Sequence, residues 1–309
     1  MSLGNSLVIG GFGFLGSAIS NNLIRLGSNV TIIDNLETGN RKLINDENYN
    51  FLNTDVCSEN WQEQLKKSEF DYIFNFGSYS SDRVYNLGGE AVFRTIKGMF
   101  NVVKFAEATG VKSVIYPSSG TVYGNSIPPQ SENNSILKPK TMYACTKLFL
   151  ENFTQTLNGS TNYGALRIFT GYGEGEIFKG NLASVVTLFY KAMTQSKKPV
   201  IYGNGEQKRD FIYSDDIAKI AIKLAENGFN GSINVGTGVS TSFNQLIESF
   251  NDLLGIQVKP EYINSPIPWV DETRADLTKL KAVTGYKPKG IKEGITSFIN
   301  EIAKYKDLE

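Results

Sequence analysis

The fold is decided by the stretch Gly10-Gly-Phe-Gly-Phe-Leu-Gly16, which directly follows the short apolar run at residues 7–9. Apolar residues then recur at helical spacing through Ile19, Leu23 and Leu26, so the pattern predicts a strand, a tight turn and a helix. The missing Cβ atoms of such a turn let a pyrophosphate approach the backbone at the positive end of the helix. Glycine-rich turns are common, and this pattern alone also fits a turn without a ligand.

The residues that follow favour a dinucleotide. Residues 29–33 predict a second strand that ends at Asp34, about 20 residues past the glycines, where a carboxylate can accept hydrogen bonds from an adenosine ribose. Asn35 follows Asp34 where an NADP-binding protein would carry arginine, so the sequence favours NAD over NADP. Arg41 lies close by in sequence and weakens that preference.

Alternating strands and helices predict the fold class. Further strands are predicted at residues 50–54, 71–75 and 112–116, with a helix at residues 90–109 that Gly110 ends. This alternation predicts an α/β fold with a doubly wound parallel sheet and right-handed crossovers. Ligands of such sheets bind beyond the carboxyl ends of the strands, where Asn75, Ser118 and Ser119 are expected to meet the glycine turn.

Composition excludes several classes of partner. The 309 residues carry 31 basic and 31 acidic side chains, so no basic field would recruit nucleic acid. No apolar run approaches the roughly 20 residues of a membrane span. Cys57 and Cys145 show no metal-ligand spacing and fit a reducing compartment, so we expect a cytoplasmic protein without disulfides or a metal site.

The chain contains no histidine, which excludes Ser-His triads, Cys-His nucleophiles and histidine-ligated zinc. Proton transfer must then fall to carboxylates, lysine, cysteine or tyrosine. Tyr143 and Lys147 are four positions apart and so share one face of a helix. An ammonium beside a phenol lowers the phenol's pKa below its usual value of about 10, which would make Tyr143 a base. Such a pair also arises by chance.

Several motifs occur in the order typical of one family. They are Gly10 to Gly16, Asp34-Asn-Leu36, Asp55-Val56, Ser118-Ser-Gly-Thr-Val-Tyr-Gly124, Tyr143-x-x-x-Lys147 and Gly203-Asn-Gly-Glu-Gln-Lys-Arg-Asp210. Together they resemble the extended short-chain dehydrogenase/reductase family, and within it the nucleotide-sugar epimerases and dehydratases. The nearest resemblance is to UDP-glucose 4-epimerase-like proteins, and it extends over nearly the whole chain.

The resemblance implies a role for each matching residue. Tyr143 would be the base, Lys147 would bind the nicotinamide ribose and lower the tyrosine pKa, and Ser119 would hydrogen-bond the reacting sugar hydroxyl. The implied NAD contacts are Gly10, Gly13, Phe14, Leu15, Gly16, Asp34, Asn35, Asp55, Val56, Phe76, Gly77, Ser78, Ser118, Tyr143 and Lys147. The implied substrate contacts are Ser119, Thr170, Asn181, Leu182 and Arg209.

The residues after Ser119 select the reaction. Sugar dehydratases of this family carry acidic residues there, whereas this chain has Gly120 and Thr121, which transfer no proton. Reversible oxidation at one carbon remains, which implies C4 epimerisation of a UDP-hexose through a 4-keto intermediate. The alternatives are a net NAD(P)-dependent oxidoreductase acting on a nucleotide-linked sugar and a non-catalytic dinucleotide sensor or scaffold.

The C-terminal part is expected to bind the substrate. We assign residues 1–169 and 211–240 to the NAD-binding domain, and residues 170–210 and 241–309 to a smaller, discontinuous domain that binds the nucleotide sugar. A helix is predicted at residues 181–193, and another at residues 277–284 with Asp276 as its N-cap. The resemblance also implies a homodimer formed through residues 90–109 and 143–157.

Three departures from the family pattern bear on substrate choice. Thr95 and Thr170 stand where the family usually has asparagine, and threonine lacks the paired donors and the reach of an amide. Residues 264–269 lack the arginine that relatives use as a second phosphate clamp, a role that Arg274 would have to fill.

Overall fold

The computed structural model describes residues 2–58, 60–65, 68–86, 88–133, 136–264 and 270–308. Strands are β1 (Asn5–Ile9), β2 (Asn29–Asp34), β3 (Asn50–Asn53), β4 (Tyr72–Asn75), β5 (Ser113–Ser119), β6 (Asn162–Ile168), β7 (Thr170–Tyr172), β8 (Val200–Tyr202), β9 (Lys208–Tyr213), β10 (Gly231–Val235), β11 (Ser240–Ser242) and β12 (Glu261–Ile263). Helices are α1 (Phe14–Arg25), α2 (Asn60–Leu65), α3 (Asp82–Tyr85), α4 (Glu90–Thr109), α5 (Met142–Gln155), α6 (Val185–Thr194), α7 (Ser214–Glu226), α8 (Phe243–Leu254), α9 (Thr278–Thr284) and α10 (Ile291–Ile302).

The central sheet has seven strands in the order β10-β6-β5-β4-β1-β2-β3. Every neighbouring pair in it is parallel. The chain runs outward from β1 to β3 and then returns to β4 on the other side of β1, so the strand order reverses between β1 and β4. The predicted doubly wound α/β fold is therefore confirmed, and a reversal of this kind opens a crevice at the carboxyl ends of the strands.

Alternate residues of the strands enter two separate hydrophobic clusters. Val8, Ile32 and Phe74 pack on one face with helices α1, α7 and α9. Their neighbours in sequence, such as Ile9 and Ile33, pack on the other face with helices α2, α4 and α5. Because both faces are covered by helices, the strands are apolar throughout, as is usual in parallel sheets.

A third hydrophobic cluster lies outside the central sheet. It joins helices α6, α8 and α10 with β8 and β9, and Phe189, Phe211, Phe250 and Phe298 are its large buried side chains. Two small sheets accompany it, one formed by β11, β9 and β7 and the other by β12 and β8.

Most predicted elements occur, and two predicted boundaries were wrong. Helix α4 is found as predicted, and Gly110 ends it in the left-handed region with φ 72°. The predicted helix at residues 181–193 begins only at Val185. Gly180 (φ 53°) kinks a preceding 3-10 segment, Glu174–Leu182, and the extended Ser184 separates this segment from α6. The residue before α9 is Leu277, not Asp276.

Asp276 nevertheless binds the start of α9. Its Oδ1 accepts hydrogen bonds from the Thr278 amide at 2.8 Å and from the Thr278 hydroxyl at 2.7 Å. The predicted capping contact therefore exists, but it originates one residue before the helix cap.

The lengths and hydrophobicity of the helices show whether any of them could span a membrane. Among the residues that the structure describes, no helix is both long and apolar enough to cross a bilayer.

Candidate active site

A cavity of about 550 Å³ opens at the carboxyl edge of the central sheet, where its strand order reverses. Most of the predicted site residues line it. These are Gly10, Gly13, Phe14, Leu15, Asp34, Asn35, Asp55, Val56, Phe76, Gly77, Ser78, Ser118, Ser119, Tyr143, Lys147, Thr170 and Leu182. Asn181, Arg209 and Gly16 are also described by the structure, but they are not among the lining residues.

The glycine turn is shaped by close backbone approach. Gly10 has φ 71°, and a Cβ there would lie 2.6 Å from the Gly77 Cα in the loop after β4. A Cβ on Gly16 would overlap the Gly10 carbonyl oxygen, so Gly16 serves the packing of α1 against the turn. Gly13 precedes α1 without a side-chain cap, which leaves the first amides of the helix to bind an anion.

Asp34 at the end of β2 fixes this turn. One carboxylate oxygen accepts the Phe12 amide at 2.9 Å and the other accepts the Leu36 amide at 2.8 Å. Burial raises the pKa of Asp34, and these two backbone hydrogen bonds oppose that rise. Since each carboxylate oxygen has two lone pairs, both retain capacity for a ribose hydroxyl.

The far end of the cavity carries a cluster of charged side chains. Arg94 Nη2 lies 2.5 Å from Asp55 Oδ2 and 3.2 Å from Glu37 Oε2. The Tyr79 hydroxyl donates to Glu37 Oε1 at 2.5 Å. Asn35 completes the cluster with 3.3 Å hydrogen bonds to Glu37 and Asp55. The cluster joins the ends of β2 and β3 to α4 and to the loop after β4.

Ser119 is held in a defined orientation at the end of β5. Its Oγ accepts hydrogen bonds from the Thr121 amide at 3.2 Å and from the Thr121 hydroxyl at 3.0 Å. With its acceptor sites used in this way, the Ser119 hydroxyl proton is free to be donated. Thr121 transfers no proton itself, but it orients the serine.

Tyr143 and Lys147 lie on the first turns of α5, which Thr141 caps by accepting the Ala144 amide. Burial raises the pKa of Tyr143 above its ordinary value. Tyr85 and Asp82 add to the rise, and the hydrogen bond with Ser119 opposes it. The expectation that Lys147 brings this pKa below its ordinary value is therefore not met, because burial has the largest effect on it.

Lys147 faces the cavity beside the tyrosine. Its Nζ lies 5.4 Å from the Tyr143 ring centroid and donates to Ser78 Oγ at 3.2 Å. Burial lowers the pKa of Lys147 to about 8, so the ammonium is mostly charged at neutral pH.

The predicted phosphate clamps lie away from the cavity lining. Arg209 Nη1 donates to the Lys208 carbonyl at 2.7 Å, and its guanidinium lies 6.0 Å from the Phe243 ring centroid. Arg274 Nε lies 3.5 Å from Glu272 Oε1, and Arg274, like Arg209, is not among the described lining residues. Residues 265–269, where that clamp was sought, lie outside the described residues.

The sequence motifs missed one wall of the cavity. Ser80, Asp82, Glu176 and Lys179 line it, and Lys179 Nζ donates to Ser80 Oγ at 3.0 Å. Glu176 accepts hydrogen bonds from Ser184 and Thr187. This wall joins the loop after β4 to the 3-10 segment before α6. No motif marks those two segments, and only their packing brings them together.

The lining fits a bound dinucleotide. The glycine cradle leaves no room for side chains, the start of α1 offers free amides, and Asp34 offers acceptor capacity at one end. Ser119, Tyr143 and Lys147 stand at the other end. A doubly wound sheet with this turn and a Ser-Tyr-Lys set defines a class of enzymes that use a nicotinamide dinucleotide.

Comparison with known proteins identifies the family within this class. The model of the NAD dependent epimerase/dehydratase family matches residues 6–236. A Methanocaldococcus jannaschii protein provisionally named UDP-glucose 4-epimerase is 31% identical over 95% of this chain and 97% of its own. The chain therefore belongs to the NAD dependent epimerase/dehydratase family.

Two solved structures show the same fold over the full length. UDP-glucose 4-epimerase from Thermotoga maritima with UDP-glucose is 28% identical, with a TM-score of 0.91 and coverage of 99% of this chain and 100% of its own. UDP-N-acetylglucosamine 4-epimerase from Methanobrevibacter ruminantium is 30% identical, with a TM-score of 0.89 and coverage of 97% and 100%. Its structure is a complex with UDP-N-acetylmuramic acid.

Proposed function

We propose that the protein is an NAD-dependent nucleotide-sugar epimerase that acts at C4 of a UDP-hexose. The observation that carries this proposal is the set Ser119, Tyr143 and Lys147, which line the same end of a cavity that the glycine turn opens. The names of the relatives described above agree with this reaction.

The chain's own residues account for proton transfer. Ser119, oriented by Thr121, donates a hydrogen bond, and Tyr143 accepts the proton of the sugar hydroxyl and later returns it. A bound NAD would accept a hydride from the same carbon and return it to the opposite face of the ketone. The cationic nicotinamide would also favour tyrosinate, which offsets the effect of burial on the Tyr143 pKa.

The charges near Asp34 support NAD over NADP. Asp34 and Glu37 both line the cavity at the end of β2, where a 2′-phosphate would meet two carboxylates. Arg41 does not relieve this repulsion, because its guanidinium lies over the Phe51 ring, 5.2 Å from the centroid, and bonds Tyr49.

Among the described lining residues, no free acid stands beside Ser119 of the kind that a dehydratase would need. Asp82 and Glu176 also line the cavity, yet Asp82 accepts the Thr141 hydroxyl at 2.6 Å and Glu176 is held by Ser184 and Thr187. These carboxylates brace α5 and α6, which favours oxidation and return over elimination of water.

The test is incubation of purified protein with UDP-glucose, UDP-galactose and their N-acetyl forms, without added cofactor. Interconversion of at least one pair is expected, with no net reduction of NAD. In a parallel incubation with added NAD(P)H, its stoichiometric consumption would support the oxidoreductase alternative. Bound NAD with no turnover of any of the sugars would favour the sensor or scaffold.

The division into two domains forms part of the proposal. One domain would comprise residues 1–169 and 211–240, and the other residues 170–210 and 241–309. The nucleotide sugar would bind between these two domains. The separate hydrophobic cluster around α6, α8 and α10 supports this division. Limited proteolysis that releases a stable fragment spanning both sets would contradict it.

A homodimer would cover an exposed aromatic stripe on α4 and α5. Phe93 is 64% exposed, and Phe100 and Phe149 are 45% and 44% exposed. Phe100 and Phe149 both pack on Phe153 of α5. Light scattering should give twice the mass of the chain, and Phe100→Asp should shift it to the monomer. A wild-type monomer would contradict the proposal.

A further inference from the structure

A buried ion pair lies behind the proposed catalytic residues. Arg167 Nη2 lies 2.7 Å from Glu151 Oε2, and the two side chains are only 7% and 4% exposed. Arg167 Nε also donates to both carboxylate oxygens, at 3.1 and 3.2 Å. Neither residue is among the described residues that line the cavity, so neither would touch substrate or cofactor.

Glu151 belongs to the same face of α5 as Tyr143 and Lys147, because each follows the previous one by four residues. Its carboxylate accepts a short hydrogen bond from the Ser118 hydroxyl, on the strand that carries Ser119. It also accepts the Ser232 hydroxyl of β10 at 2.9 Å. One carboxylate therefore ties the helix of Tyr143 to three strands of the sheet, β5, β6 and β10.

Arg167 holds the other side of the site. Its Nη1 donates to the Tyr123 hydroxyl at 2.9 Å. Tyr123 ends the 3-10 turn that begins directly after Ser119, and its own hydroxyl donates to Asn234 Oδ1 at 2.7 Å. The guanidinium thus contacts both the turn after Ser119 and, through Glu151, the helix of Tyr143.

Stability alone does not explain the pair. Both charges lose their solvation on burial, and a buried ion pair can often be replaced by apolar residues of similar volume without loss of stability. Its rigid bidentate geometry instead fixes the relative position of the groups that it joins.

We infer that Glu151 and Arg167 are positioning residues that hold α5 against β5 and so fix the position of Tyr143 relative to Ser119. This inference rests on the proposed function, since it assigns the pair to the same proton transfer. A displacement of even about 1 Å in such a pair can lower a rate about 100-fold.

The test is the double variant Glu151→Leu with Arg167→Met, which leaves no unpaired buried charge. It should fold, retain NAD and keep KM within about threefold of wild type, while kcat falls about 100-fold. Arg167→Lys with Glu151 intact keeps the charge pair but not the bidentate geometry, and it should recover only part of the rate.

A matched control separates positioning from general loss of stability. Tyr286→Phe removes a partly buried 2.6 Å hydrogen bond to Asp216, on α7 and outside the cavity lining. It should lower the melting temperature and leave kcat unchanged. A double variant that lost no more activity than this control would overturn the inference.

The pH dependence of kcat gives a second readout. Tyr143 is faced by Lys147 from its own helix, by Asp82 and Tyr85 from α3, and by Ser119 from β5. Losing the Ser119 hydrogen bond removes an interaction that favours the phenolate, so the rising limb of the profile should move upward by about one pH unit. An unchanged profile would contradict a positioning role.

The inference can fail separately from the proposed function. Wild-type protein that epimerises no UDP-sugar would refute the function. The phenol of Tyr143 can still be titrated by ultraviolet difference absorbance in NAD-loaded protein, with Tyr143→Phe as the blank. A double variant whose phenol titrated as in wild type would then refute positioning, whatever the reaction.

Discussion

The proposed cofactor half and the proposed substrate half of the molecule present their candidate ligand-binding groups in different ways. In residues 5–119 the cavity is lined largely by the ends of β1, β2, β3, β4 and β5 and the turns that follow them. In residues 170–210 and 241–308, the candidate groups are side chains on separate segments, such as Lys179 on the 3-10 segment and Arg209 on β9. The first set is placed by the sheet and the second by packing between loops and helices.

This difference bears on the departure from the family pattern at Thr170, whereas Thr95 departs from that pattern within the proposed cofactor half. A turn defined by glycines at close backbone contacts admits few substitutions, since a Cβ on Gly10 would meet Gly77. A side chain such as Thr170 can change without altering the fold that carries it. We therefore expect the cofactor half to determine that the enzyme uses NAD, and the substrate half to determine which sugar nucleotide it accepts.

The largest expected effect is at Tyr143, where the two halves meet. Tyr143→Phe removes the proposed base, and we expect kcat for UDP-sugar interconversion to fall by about 1,000-fold or more. Bound NAD and KM should change little, because the ring still fills its buried place. Tyr163→Phe, at a buried tyrosine bonded to Glu107 far from the cavity lining, is the matched control. Equal rates in wild type and Tyr143→Phe would rule out the base.

The next largest effect is expected at Asp34, where a substitution should affect NAD binding in the proposed cofactor half. Asp34→Ala removes a buried acceptor for the ribose and two bonds that shape the glycine turn. NAD affinity should fall about 10- to 100-fold, because hydrogen bonds to a charged group contribute about 1.5–3 kcal/mol. NAD binding is measured by titration of protein fluorescence. Asp34→Asn, which keeps one acceptor oxygen, should lose less NAD affinity than Asp34→Ala. Unchanged NAD binding in Asp34→Ala would refute the ribose contact.

Arg209→Ala tests the substrate half in the same way. Removal of a proposed phosphate clamp should raise KM for the UDP-sugar about tenfold and leave NAD binding as in wild type. Arg209→Lys retains the charge but not the bidentate geometry, so its KM should lie between the two. If Arg209→Ala weakened NAD binding and left the KM for the UDP-sugar unchanged, the division between the halves would be wrong.

The smallest effect concerns the pH dependence of stability. Since burial lowers the pKa of Lys147 to about 8, the unfolded chain binds more protons than the folded protein between pH 8 and about 10.5. The free energy of unfolding should therefore rise with pH in this window, relative to Lys147→Met, on the order of 1–3 kcal/mol. Denaturant unfolding at pH 7 and pH 9.5 measures it.

Lys179 of the substrate half provides the comparison. Burial also lowers its pKa, but the Glu176 carboxylate opposes that shift. Relative to Lys179→Met, the same rise with pH should be smaller. A rise as large as that of Lys147 would show that the Glu176 charge does not compensate for burial there.

The fold and the cofactor side of the site could be predicted from sequence for a local reason. Gly10 directly follows β1, Asp34 and Ser119 end β2 and β5, and parallel strands bring their carboxyl ends to one edge. A local apolar pattern is therefore sufficient to bring together residues that are far apart in the chain.

The substrate side could not be predicted so fully. Lys179 and Ser80 meet only because a 3-10 segment packs across the loop after β4, and their sequences carry no pattern for that contact. The start of α6 was missed because Gly180 and Ser184 break an otherwise helical apolar pattern. The pKa of Tyr143 was misjudged because spacing reveals the neighbouring lysine but not the depth of burial.

The central claim is that one carbon is oxidised and reduced again within one site. The most direct test is to incubate the purified protein, without added NAD, with a molar excess of UDP-glucose deuterated at C4. We expect the UDP-galactose that forms to retain deuterium at C4, without accumulation of reduced cofactor. If the protein accepts another UDP-hexose, its epimer, labelled in the same way, should also retain the deuterium. Epimer that has lost the C4 label to solvent, or label recovered in stoichiometric NADH, would contradict it.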